Sequence, residues 1–102
     1  MIFFTTSTFI TKGQNFEEIN LTKAAGDDRH PFFSPDGKTI VFESNRDGNW
    51  EIYIMDSNGD NQKKLTNNPA DDRMPSWHPA ENKILFQSDR NGKIELFHRN
   101  RF

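Results

Sequence analysis

Two charged triplets, 44 residues apart, hold the residue types that could do chemistry. Each reads Asp-Asp-Arg, at 27–29 and again at 71–73. Convergent carboxylates suit hard cations, and arginine offers carboxylates a rigid fork, so we expect a charged rim that binds a cation or polar ligand. The alternative is structural, with these side chains holding a loop by hydrogen bonds. The candidate binding residues are Asp27, Asp28, Arg29, His30, Asp71, Asp72 and Arg73.

Nothing else in the sequence forms a catalytic or metal-ligating constellation. No two of the histidines His30, His78 and His98 are separated by the 44 residues that separate the triplets, and the chain has no cysteine. No serine lies in a nucleophile elbow, and no glycine-rich loop suits a phosphate. We therefore predict that the protein is not an enzyme and uses no metal and no cofactor.

The triplets belong to a longer repeat, which defines the elements that must position them. When residues 21–58 are aligned with 65–102 without a gap, 13 of 38 positions are identical. Short β-prone segments alternate with turn signals such as Ser-Pro-Asp-Gly at 34–37. Four strands joined by tight turns within a 44-residue period are typical of a β-propeller blade. We predict an all-β fold in which the triplets precede the innermost strands, at the mouth of a central channel.

About two blades of four antiparallel strands fit the chain. We predict a two-blade unit over residues 15–102, with a complete blade over 31–66 and three strands of an incomplete blade over 75–98. An outer strand is predicted over 17–22, in the register of the strand that the second blade lacks. Residues 1–14 are predicted to be an N-terminal extension or a remnant strand.

Four further charged residues recur at the same period. Arg46 and Arg90 lie in the turn between the second and third strands of each blade, and we expect each to bridge to an aspartate of the triplets. Glu51 and Glu95 flank apolar strand residues, and we expect them to accept hydrogen bonds from backbone or arginine donors. We interpret all four as structural residues of the repeat.

The first copy of the repeat contains a series of motif residues: Leu21, Thr22, Asp28, Pro31, Phe33, Ser34, Pro35, Asp36, Gly37, Ile40, Phe42, Ser44, Arg46, Gly48, Glu51, Ile52 and Tyr53. The second copy keeps most of the series but has His-Pro-Ala-Glu-Asn at 78–82 in place of Ser-Pro-Asp-Gly. The series resembles the WD40-like PD40 repeats of the TolB-like β-propeller family. The resemblance implies six blades in a ring and a periplasmic or secreted location, although we predict no signal peptide at the start of this sequence.

Two blades alone cannot close a ring, because propellers need about four to eight. An isolated pair would also expose a blade face and an unpaired edge over 93–99. We therefore predict head-to-tail assembly, in which each chain donates its strand at 17–22 to a neighbour and three chains form a six-bladed homotrimer. The competing interpretation is that the chain is a fragment or a degenerate copy of a longer propeller.

Composition narrows the classes of partner. The net charge is -2 and the acids and bases are interleaved, so we predict no nucleic acid. No run approaches the roughly 18 apolar residues that span a bilayer, so we predict no membrane insertion. The leading prediction is a non-catalytic binding module with a protein partner at the channel mouth. The alternatives are the propeller part of a peptidase-type enzyme, which gates substrate, and a structural remnant without a ligand.

Overall fold

A computed structural model describes residues 17–101, and these residues form two antiparallel sheets and no helix. The first sheet has the order β1-β2-β3-β4 and the second has the order β5-β6-β7. The predicted all-β fold is therefore confirmed, whereas the prediction for residues 1–14 concerns residues outside the described part of the chain. The strands are β1 (Asp28–Phe33), β2 (Thr39–Ser44), β3 (Glu51–Asp56), β4 (Lys63–Lys64), β5 (Asp72–Trp77), β6 (Lys83–Ser88) and β7 (Glu95–Asn100).

The first strand of each blade begins three residues before the proline at which the sequence predicts its start. Asp28 pairs with Ser44 in the first blade, and Asp72 pairs with Ser88 in the second. A bulge follows, with left-handed backbone at His30 (φ 53°), and it accommodates the proline inside the strand although proline cannot donate to the ladder. The second aspartate of each triplet is therefore a strand residue and not a loop residue.

Residues 17–22 form no strand with the rest of the described chain. The carbonyl oxygens of Leu21 and Thr22 accept hydrogen bonds from the Gln62 side-chain amide, at 3.3 and 3.0 Å. No ladder partner lies beside the segment within residues 17–101, so its backbone joins neither sheet. Leu21 packs on the face of the first blade that is formed by Ile40, Phe42, Tyr53 and Met55.

The larger apolar core lies between the two sheets. Because side chains alternate along a strand, β2 and β3 of the first blade send every second residue toward the second blade. Burying each large apolar side chain stabilises the fold by about 1.5–3 kcal/mol. The Trp77 indole N–H also donates to the Phe32 carbonyl across the interface at 3.0 Å. The core consists of Val41, Ile52, Ile54, Leu65, Trp77, Ile84 and Phe86.

The turn at 78–82 closes in the same way as Ser-Pro-Asp-Gly, with different chemistry. The backbone N–H of His78 donates to the Lys83 carbonyl at 2.9 Å. The Nδ1 atom of the His78 ring accepts hydrogen bonds from the backbone N–H groups of Ala80 and Glu81, each at 3.0 Å. His78 therefore supplies an acceptor to the turn, as the serine and aspartate do in the first blade.

Replacing Ile84 by valine should lower the free energy of unfolding by about 1 kcal/mol, because the lost methylene leaves a small cavity between the blades. Ile84 is 0% exposed. Urea unfolding followed by tryptophan fluorescence measures the change. Lys93→Ala, at an exposed turn position, is the control and should change it by less than about 0.5 kcal/mol. Equal effects of the two substitutions would contradict an inter-blade core at Ile84.

Candidate functional site

The Asp28 carboxylate and the Arg46 guanidinium form an ion pair inside the first blade, with 3.1 Å between Oδ1 and Nη2. The Arg46 Nε–H also donates to the Ser44 hydroxyl at 3.0 Å. Burial alone would raise the pKa of Asp28, but hydrogen bonds from Ser44, Thr22 and Arg46 outweigh it and hold that pKa below its ordinary value. Asp28 therefore stays ionised to lower pH than a solvated aspartate.

The second blade repeats this pair in a more buried form. Asp72 is fully buried, and its Oδ1 lies 3.3 Å from Arg90 Nη2. Its Oδ2 also accepts a hydrogen bond from Asn68 Nδ2 at 2.7 Å, and the Arg90 Nε–H donates to Ser88 Oγ at 3.0 Å. The expected bridge from each turn arginine to a triplet aspartate is present in both blades.

Each of these arginines also lies over two aromatic rings. The guanidinium carbon of Arg46 is 4.5 Å from the Tyr53 ring centroid, and that of Arg90 is 4.2 Å from the Phe97 centroid. A guanidinium over an aromatic face is stabilised by the ring quadrupole. Each blade therefore contains an aspartate, an arginine and stacked rings as one packed unit.

The first aspartate of each triplet has a different role. Asp71 Oδ1 accepts a hydrogen bond from the backbone N–H of Trp50 at 3.0 Å, which joins the second blade to the first. Asp27 has an exposed carboxylate, and its nearest cation is Arg29 at 3.5 Å. The two aspartates differ because no blade precedes Asp27 within residues 17–101.

Glu43 is a residue that the sequence predictions missed. Its side chain is fully buried between the blades, where it accepts hydrogen bonds from the backbone N–H of Met74 at 2.7 Å and from Arg73 Nη2 at 3.2 Å. The ring Nε2 of His30 lies 3.8 Å away. A buried carboxylate is costly unless donors surround it. One signal was available, since Glu43 ends an apolar run and its repeat counterpart, Gln87, is also polar.

What we call the rim cluster consists of the two triplet arginines, Arg29 and Arg73, together with His30 and Trp50. The guanidinium carbons of Arg29 and Arg73 lie 5.1 and 4.6 Å from the Trp50 ring centroid, so the indole sits near one arginine from each blade. Both arginines extend from first strands, which line the channel in a propeller. The rim cluster exposes the guanidinium groups of Arg29 and Arg73, and part of the Trp50 indole, to solvent.

The two glutamates of the repeat are placed differently. Glu51 is buried, and its carboxylate accepts hydrogen bonds from the Thr66 hydroxyl and the Asn68 backbone N–H, both at 3.0 Å. Burial raises the pKa of Glu51, and the neighbouring Asp72 raises it further. Glu95 is half-exposed, because no residue corresponding to Thr66 lies beside it within the described residues. Its carboxylate accepts a hydrogen bond from the Asn91 side-chain amide at 3.0 Å, and not from the expected backbone or arginine donor.

The structure thus divides the seven predicted rim residues among four environments. Asp28 and Asp72 point into the blades, Asp71 caps a backbone N–H, Asp27 is exposed beside Arg29, and Arg29, His30 and Arg73 gather at the rim with Trp50. Among residues 17–101, no three His, Cys, Asp or Glu side chains are grouped so that they could hold a metal ion. The same residues include no helix long and apolar enough to cross a membrane.

The sheets, their 44-residue period and the repeated aspartate–arginine unit define the chain as blades of a β-propeller. Its sequence matches the family described as the TolB beta propeller domain over residues 6–101, and the chain belongs to that family. A comparison with curated proteins gave no match.

Two solved structures are similar to the chain. A putative TolB from Agrobacterium tumefaciens shares 25% identity with a TM-score of 0.71, covering 78% of this chain and 32% of that protein. TolB from Acinetobacter baumannii shares 33% identity with a TM-score of 0.62, covering 76% of this chain and 18% of that protein. The chain therefore spans less than a third of the length of either protein.

Replacing Asp28 by asparagine should lower the free energy of unfolding by about 2 kcal/mol at pH 7, because Arg46 loses a charged acceptor. Since the folded state lowers the pKa of Asp28, this stabilisation is complete above its unfolded-state pKa. It is lost as the pH falls through the lower, folded-state pKa. The difference between wild type and Asp28→Asn should therefore shrink below about pH 4.

Urea unfolding between pH 7 and pH 3 measures this difference. Asp60→Asn, at an exposed turn position, serves as the control and should have a small effect throughout. A destabilisation by Asp28→Asn that stays constant across this range would show that the ionised carboxylate is not the stabilising group.

Proposed function

We propose that the chain is a non-catalytic binding and protein-interaction module of a TolB-like propeller, which self-assembles by strand donation. The observation that carries this proposal is the exposure of the outer face of the second blade. Leu85 is 44% exposed and Leu96 is 72% exposed, whereas their repeat counterparts Val41 and Ile52 are both 0% exposed. In the first blade, these positions are covered by the second blade. Exposed apolar residues at the same positions of the second blade therefore favour an interface there.

The opposite end of the described chain presents the complementary surface. Phe33 on the first blade is 58% exposed, whereas its counterpart Trp77 is 5% exposed because it packs on the first blade. Within this chain, the counterparts of these two residues already share one interface. Trp77, the counterpart of Phe33, and Ile52, the counterpart of Leu96, both lie in the core between the blades. A second copy can therefore repeat that contact head-to-tail, and such contacts form a ring where the rotation closes. Six blades correspond to three copies.

The rim cluster is the part of such a ring that suits a partner protein. Arginine and tryptophan are enriched among the residues that dominate protein–protein binding energy. Three copies would bring three such clusters around one axis, so a partner could contact several at once. We also propose a periplasmic or secreted location, which rests on family membership alone.

Light scattering coupled to size exclusion should give a mass near 36 kDa for the purified chain, three times the 11.9 kDa of one copy. Leu96→Asp should shift the mass toward that of one copy, because assembly would bury a carboxylate that has no paired cation at the contact between copies. Asn58→Asp adds the same charge in an exposed turn away from both faces, and it should leave the mass unchanged.

A folded, monodisperse 12 kDa species of the unsubstituted chain would contradict self-assembly. Circular dichroism of Leu96→Asp establishes whether the sheets remain intact, so loss of assembly can be distinguished from loss of folding. Unchanged mass in a folded Leu96→Asp variant would show that the outer face of the second blade is not the contact surface.

A further inference from the structure

The first blade shows how an outer strand is held in this repeat. Beyond β4, the backbone N–H of Leu65 donates to the Ile52 carbonyl at 2.7 Å. The Ile52 N–H donates to the Thr66 hydroxyl at 2.9 Å, and that hydroxyl donates to Glu51 Oε1 at 3.0 Å. A Leu-Thr pair therefore anchors the outer strand to the start of β3 by one backbone bond and one hydroxyl relay.

The second blade contains the residues of its third strand to which such an outer strand would bind. Glu95 and Leu96 open β7 as Glu51 and Ile52 open β3, and β7 has no partner on its outer edge within residues 17–101. A groove of about 450 Å³ runs beside that edge, lined by residues 65–68 of the first blade and 97–100 of β7. The Arg99 guanidinium crosses this groove to donate to the Leu65 carbonyl, so an added strand would lie along β7 and displace or contact that side chain.

We propose that residues 18–22 of a second copy fill this position as an antiparallel strand in a defined register, an inference that rests on the proposed self-assembly. Leu21 and Thr22 repeat Leu65 and Thr66, and in the first blade Lys63 pairs with Ile54. Transferring that register sets Ile19 opposite His98 and Thr22 at Glu95. The Thr22 hydroxyl then relays between the Leu96 N–H and the Glu95 carboxylate.

Charge complementarity supports this occupant. The same register sets Glu18 of the second copy opposite Arg99, on the outer half of β7. Opposite charges directly across an antiparallel pair are favourable, whereas like charges are unfavourable. A strand shifted by one residue would lose this pair and turn Leu21 away from the apolar face that it now contacts.

The position of the segment in its own chain is compatible with the proposal. Leu21 packs on the face of the first blade that includes Phe42, and Leu65 packs on the corresponding face of the second blade, which includes Phe86. Residues 17–22 therefore already lie where the outer strand of a preceding blade would pack on the first blade. The Thr22 hydroxyl contacts Asn20 Oδ1 at 3.4 Å and also hydrogen-bonds to Asp28, so pairing with Glu95 would exchange one carboxylate acceptor for another.

Engineered cysteines test this register, because the chain contains none of its own. Ile19 and His98 are both exposed, so Ile19→Cys/His98→Cys should fold, and oxidation should give covalent multimers up to the trimer on a non-reducing gel. The control is Ile19→Cys/Asn100→Cys, in which the second cysteine is two residues further along the same face. A disulfide needs Cα atoms about 4.4–6.8 Å apart, so the control should cross-link at least tenfold less.

Mixing and refolding the two single variants, Ile19→Cys and His98→Cys, should give covalent dimers and no larger species, which identifies the bond as one between copies. An oligomer by light scattering without the disulfide, equal cross-linking in the control, or a disulfide within one chain would each overturn the proposed register and leave self-assembly standing. A folded monomer without a cross-link would overturn both proposals.

Discussion

The structure depends on burial of the broad faces of its sheets. Side chains of a strand alternate between two faces, and in these blades both faces are apolar. A single four-stranded sheet cannot cover both of its own faces, so each blade must bury one face against the next. The inter-blade core around Ile52 and Ile84 is the described case, and it explains why the repeat is informative only when two copies are considered together.

Apolar contact alone would leave the relative position of two blades poorly defined, and polar groups fix it. Asp71 accepts from the Trp50 backbone, and Glu43 accepts from the Met74 backbone and from Arg73. These bonds are directional and lie inside the interface, where an unpaired partner would be costly. Charged residues that attract attention in the sequence therefore act mostly as connectors between and within blades.

Periodicity made the blade meander and the aspartate–arginine pairs predictable, because residues that recur at a fixed spacing perform the same structural task in each copy. The early start of β1 was not predictable, because it depends on a bulge that lets a proline remain inside the strand. The role of Glu43 was equally hidden, since its donors lie about thirty residues away in the next blade. The resemblance of the two triplets also concealed that Asp27 and Asp71 differ in what surrounds them.

Gln87 occupies in the second blade the position that Glu43 occupies in the first. A blade stacked on the second one would therefore meet an uncharged amide where the first offers a carboxylate. An amide oxygen is neutral, so a blade beside Gln87 would not need to supply the charged and backbone donors that Arg73 and Met74 supply to Glu43. The two copies of the repeat are therefore not equivalent at the face that meets a following blade.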